Sequence, residues 1–108
     1  MFLEKYLKPF DLEIIYDNYE EFYINSLDEE NFKTIYNLLK EKGFYFLEDI
    51  ICNYLELFEM EEEYVKKAID EISLVLGEDY VFKIGKNMLI LDKIIERAYT
   101  HQEEQESL

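Results

Sequence analysis

Basic residues are scarce in this 108-residue chain: 11 Lys and Arg stand against 26 Asp and Glu, a formal net charge of −15. A surface that negative repels nucleic-acid phosphates and anionic membranes, so neither is expected as a partner. The single cysteine, Cys52, rules out an intramolecular disulfide and fits a reducing compartment. The single histidine, His101, falls near the end of the chain and leaves no nucleophile–base pair for covalent catalysis. The three glycines, Gly43, Gly77 and Gly85, are isolated from one another, which excludes a phosphate-cradling loop. No run approaches the roughly 18 apolar residues of a membrane span. The opening Met1-Phe2-Leu3-Glu4-Lys5 lacks the basic-then-apolar plan of a secretory signal, and a cytoplasmic location is the expectation.

What is present is apolar as well as acidic. The chain is 49% hydrophobic and carries eight Phe and ten Tyr. Strong acidity usually accompanies disorder, because the chain repels itself and has little apolar surface to bury. Here the aromatic content supports a core, and a chain of this length is expected to form a single domain over residues 1–99. Residues 100–108 read as a disordered acidic tail. The charge is concentrated: residues 1–31 and residues 41–63 each carry a net −7, whereas six acids and six bases cancel over 64–98.

Periodicity predicts the elements. Pro9 suits a first helical turn, and Leu12, Ile15, Tyr16, Tyr19, Phe22 and Tyr23 recur at helical spacing. The rival over the same residues is a hairpin of Leu12–Tyr16 and Tyr19–Ile24 turning at Asp17-Asn18. Ser26 to Glu29 has the form of a capping box, opening a helix with Phe32, Ile35, Tyr36 and Leu39 on one face and Gly43 at its close. From Phe46 to Phe58 the apolar positions cover an arc of about 180°, wider than one neighbouring helix requires. This helix is therefore central or oligomeric, and a homodimer through 46–58 is one reading. A third helix spans about 61–76, with Tyr64, Val65, Ala68, Ile69, Ile72, Val75 and Leu76 sharing a face, and Gly77 stops it. Tyr80–Ile84 and Met88–Leu91 read as strands joined by Gly85-Lys86-Asn87, followed by a short helix. The expected class is thus mostly α with a small C-terminal β-hairpin (α+β), an order that resembles a winged helix.

The search for chemistry narrows to surface recognition. On the helical wheel Cys52 falls in the polar arc between Glu48 and Glu56, carboxylates that disfavour a thiolate. Acidic pairs such as Glu20-Glu21 and Glu78-Asp79 carry no sign of separated pKa values, no cluster has metal-ligand spacing, and no cofactor or enzymatic activity is expected. Glu48, Asp49, Glu56 and Glu59 line the polar face of the central helix, Glu62 and Glu63 follow, and Tyr45 precedes. Tyrosine suits an interface centre, and carboxylates around it steer a basic partner. These seven residues form the expected partner-binding surface of a small acidic binding module. It would be an inhibitor, an immunity-type protein or a DNA mimic occluding a basic, nucleic-acid-handling protein. The alternatives are a winged-helix regulator, with Lys66 and Lys67 toward DNA and Lys83 and Lys86 on the wing, or a homo-oligomeric structural subunit.

Overall fold

The computed structural model describes residues 1–106, and every regular element among them is helical. A 3-10 turn at Phe2–Lys5 precedes α1 (Pro9–Asn18), α2 (Glu21–Asn25), α3 (Glu29–Glu41) and α4 (Leu47–Asn53). A second 3-10 turn, Leu55–Glu59, leads into α5 (Glu62–Leu76), α6 (Tyr80–Lys86) and α7 (Ile90–Glu106). One continuous apolar cluster runs from Leu3 to Ala98. At its centre the Phe32 and Phe58 rings stack with centroids 4.6 Å apart, while Phe2 and Tyr6 meet Phe32 at tilted angles. Such ring pairs each add about 0.5–1.5 kcal/mol beyond their buried area.

Over residues 9–25 the chain is helical and the hairpin does not form, but the single helix read from the spacing is two, broken at Tyr19 and Glu20, which are extended. Pro9 occupies the first turn of α1. The Lys8 N–H donates to the Asp11 carboxylate at 3.2 Å, satisfying one of the donors a helix start leaves open. The next helix start differs from the expected capping box. Asp28, not Ser26, caps α3, accepting from the N–H groups of Glu30 and Asn31 at 2.9 and 3.3 Å. Ser26 closes α2 instead, its hydroxyl donating to the Tyr23 carbonyl at 2.6 Å. At the far end of α3, Gly43 takes φ +93°, a left-handed conformation that side chains resist.

The central segment is two pieces rather than one helix. The backbone leaves the helical region at Tyr54 (φ −136°, ψ 47°), and the 3-10 turn that follows ends at Met60 in extended conformation. Leu47, Ile50, Ile51, Leu55, Leu57 and Phe58 are all buried within this one chain. Helix α4 is surrounded by α1, α3 and the 55–59 turn, which accounts for the wide apolar arc without a second subunit. Cys52 belongs to this core as well: it is buried under α1 and not on a polar face.

The expected C-terminal hairpin, and with it the α+β class, is overturned. Tyr80–Lys86 and Ile90–Glu106 are helices, and Gly85 lies inside α6. A strand would have put Tyr80, Phe82 and Ile84 on one face. Instead Ile84 is fully buried while Phe82 stands in solvent. The helical spacing of Tyr80, Val81, Ile84, Met88 and Leu91 prevails over the β preference of the individual residues, because it lets α6 bury one side. Without a hairpin there is no wing, and the winged-helix order disappears with it. Helix α7 continues through residues 100–106, which the sequence assigned to a disordered tail; Ser107 and Leu108 lie outside the described residues. It packs along α5, where Glu71 accepts from Arg97 Nη2 at 2.9 Å and pairs with the His101 ring. Val75, expected on the buried face of α5, is exposed together with Leu74.

Candidate functional site

The two acidic stretches of sequence are brought together along the packing of α1 and α2 on α4 and the 55–59 turn. Three polar contacts stitch the first seam. The Cys52 thiol faces the Asp11 carbonyl at 3.6 Å, the Asn18 side-chain amide donates to the Cys52 carbonyl at 3.0 Å, and Tyr19 reaches across to the turn. The Tyr19 hydroxyl accepts from the Leu55 N–H at 3.1 Å and donates to the Glu56 carboxylate at 3.0 Å. One turn further, Tyr23 donates to Glu59, and the Tyr19 and Tyr23 rings stack at 5.6 Å.

These contacts set the protonation of the seam. Burial pushes the Tyr19 hydroxyl up to about 12, and the neighbouring Glu56 carboxylate pushes in the same direction, against the opposing Leu55 hydrogen bond. Tyr23 is also raised, by burial and by Glu59. Both phenols therefore stay neutral at physiological pH and serve as donors to carboxylates. The Cys52 thiol is pushed up to about 11, first by burial and then by the charges of Asp11, Asp49 and Glu48. The packing of α1 on α4 encloses this sulfur, with Asp11 on one helix and Glu48 and Asp49 in the first turn of the other.

The seven residues expected to bind a partner are thus distributed over four elements. Glu48 and Asp49 are exposed in the first turn of α4, where negative charge also complements the helix N-terminus. Glu56 and Glu59, on the 3-10 turn, are brought to the α1–α2 side and spend one oxygen each on a tyrosine. Glu62 and Glu63 are exposed in the first turn of α5. Tyr45 is exposed in the α3–α4 connector, but its ring lies against Phe46 at 5.0 Å and its hydroxyl lies over Gly85 of α6. It therefore belongs with the neutral C-terminal part of the chain rather than with the α4 carboxylates.

Sequence reasoning missed the residues that join the pieces. Asn31 is one: its side-chain amide donates to the carbonyls of Phe58 and Met60 at 2.8 and 3.0 Å, holding the turn against α3. Asn18 is another, and neither has a spacing signature, because each meets a backbone carbonyl far away in sequence. Phe10 was also passed over, and Phe22, read as part of the apolar series of the first helix, is not buried; both are exposed, on α1 and α2, among Glu13, Asp17, Glu20 and Glu21. Among the described residues there is no enclosed pocket and no group of three or more potential metal ligands. No described helix is long and apolar enough to cross a membrane. Comparison with protein-family models, with curated proteins and with solved structures finds no match for this chain.

Proposed function

We propose that this protein is a small acidic binding module that docks a basic protein surface across the α1–α4 seam. The observation that carries this reading is the packing of α1 on α4, with Cys52 against the Asp11 carbonyl and Tyr19 and Tyr23 bonded to Glu56 and Glu59, which brings parts of the two acidic stretches together. Exposed Phe10, Tyr16 and Phe22 on α1 and α2 supply the apolar anchors that a charged patch alone would lack. Carboxylates around such anchors speed encounter with a basic partner, while the anchors govern dissociation. Glu56 and Glu59 contribute field more than contact, since each is engaged by a tyrosine. An occluder of a basic, nucleic-acid-handling protein is the specific form this reading takes. A cytoplasmic setting accords with a lone thiol kept buried.

The test uses the immobilised full-length protein against an extract of its native host, eluted with a salt gradient. A retained partner should dissociate more readily as salt rises, and Glu48→Lys with Asp49→Lys should slow its association. Both positions are exposed and leave the tyrosine pairs intact. Binding that is indifferent to ionic strength, or to these two charge reversals, would refute the proposal.

A further inference from the structure

Acids recur so often in this chain that the places without them stand out. Residues 80–91 form its longest acid-free stretch, with Lys83 and Lys86 as the only charges. This stretch comprises α6, the turn that follows and the start of α7, and it leaves large apolar side chains in solvent. Phe82 is 54% exposed and Leu89 69%, while Leu74 and Val75 in the last turn of α5 are 86% and 82% exposed. Lys83 Nζ donates to the Leu76 carbonyl at 2.6 Å, so that last turn abuts α6. The other side of α6 is occupied: Ile84 is in the core, and Gly85 lies against Tyr45 and Phe46.

The charges on this face are arranged to be self-complementary. Lys83 is already paired with Asp79 at 3.3 Å. Lys86 lies over the Phe82 ring, 5.3 Å from its centroid, with no carboxylate partner among the described residues. Glu78, in the turn that precedes α6, makes no ion pair or hydrogen bond among the described residues. Glu78 and Lys86 each stand four positions from Phe82. In an antiparallel pairing about a two-fold axis at Phe82, Glu78 of one copy meets Lys86 of the other, twice.

We propose that the α6 face is a homodimer interface whose occupant is a second copy of this chain, paired antiparallel about Phe82. Like-charge repulsion between two bodies of net −15 opposes association almost everywhere else. Contact here brings in few acids, Glu78 and the Lys83-paired Asp79, and buries the exposed Phe82, Leu89, Leu74 and Val75. Two exposed ion pairs add register more than strength. Dimerisation is therefore apolar in drive, and salt tightens it by screening the net repulsion, the opposite sign from docking of a basic partner at the α1–α4 seam. The two proposals can accordingly fail separately.

The experiment is sedimentation velocity of the full-length protein over a wide concentration range, at low and at high salt. The expected result is a species of twice the 13.2 kDa chain mass, its dissociation constant falling as salt rises. Phe82→Glu should raise that constant at least about thirtyfold, the effect typical of a central interface aromatic. Lys86→Glu should weaken the dimer, and adding Glu78→Lys to it should restore the contact, a rescue that general loss of folding could not produce. Far-UV circular dichroism should remain that of the wild type in all variants, since these side chains are solvent-exposed. A chain that stays monomeric at every concentration and salt would overturn the proposal, as would a dimer indifferent to Phe82→Glu or one that salt weakens. A monomer that binds vesicles of anionic lipid through Phe82 would also overturn it and assign the face to lipid.

Discussion

The Tyr19 hydroxyl sits between two parts of Leu55-Glu56, accepting from the Leu55 N–H at 3.1 Å and donating to the Glu56 carboxylate at 3.0 Å. One phenol thereby satisfies a buried backbone donor, positions a carboxylate and fastens α1 to a 3-10 turn more than thirty residues later. Tyr19→Phe should cost about 1–3 kcal/mol, because the Leu55 N–H is left unpaired in a buried setting. Glu56→Gln, which keeps an acceptor, should cost less. Urea unfolding of both variants measures the difference; equal losses would show that the Leu55 contact contributes little.

The same phenol makes folding sensitive to alkaline pH. Its folded pKa, about 12, lies above the ordinary 10.0, so the neutral form is favoured by the fold. The stability it contributes is therefore whole below pH 10 and declines as pH rises from 10 toward 12. Tyr23 is shifted in the same direction and adds to the decline. Denaturation curves across this window should show a shallower fall for Tyr19→Phe than for the wild type.

Cys52 should be a slow thiol. Burial and three nearby carboxylates hold it at about 11 against an ordinary 9.0, leaving about a hundredfold less thiolate at neutral pH than a free cysteine has. Labelling by a disulfide reagent at pH 8 should be at least about a hundredfold slower in the native protein than in urea, by the same shift. A native rate matching the unfolded one would mean that α1 does not stay over the sulfur.

Gly85 offers a test of how α6 meets the α3–α4 connector. A Cβ there would lie 2.8 Å from the Tyr45 hydroxyl and 3.1 Å from the Phe46 ring. Alanine would otherwise favour the helix by about 1 kcal/mol. Gly85→Ala should therefore recover less than this gain, because Tyr45 must swing aside and Phe46 must yield, and it should be more favourable in a Tyr45→Ala background, where only Phe46 has to yield. A double-mutant cycle by thermal unfolding reads this coupling; additive effects would show that Tyr45 does not rest on α6.

Glu71 connects α5 to the end of α7. Hydrogen bonds from His101 and Arg97 hold its carboxyl below the ordinary range. The stability from this contact is therefore present above the unfolded carboxylate pKa and is lost as pH falls through the lower folded value. Glu71→Gln should lower the melting temperature slightly at neutral pH, with the gap to the wild type closing in acid and in high salt. A gap that persists in acid would point to packing rather than charge.

Helices α3 and α5 were legible because each is long enough for its apolar spacing to repeat and has a recognisable end, Gly43 or Gly77. Segment 80–91 was not. Tyr, Val, Phe and Ile favour strands, and Gly85-Lys86-Asn87 looks like a turn, yet strand and helix preferences differ by less than burying Ile84 and Leu91 contributes. The break at Tyr54 had no local marker either, since neither Gly nor Pro stands there. Of the expected binding residues, Glu48, Asp49, Glu62 and Glu63 are exposed as read, whereas the structural engagement of Glu56 and Glu59 depends on tyrosines more than thirty residues away.

By itself the sequence determined the acidity, its division into two blocks, the aromatic core and the two long amphipathic helices, all of which are local or additive properties. Only the tertiary structure decided that parts of the two acidic stretches meet where α1 and α2 reach α4 and the 55–59 turn, that Cys52 lies inside, and that the C-terminal stretch is helical with apolar side chains in solvent. The reason is that each of these depends on which surfaces remain to be covered once the neighbours are in place. A pattern of residues records what can be buried, and the packing of distant elements chooses what is.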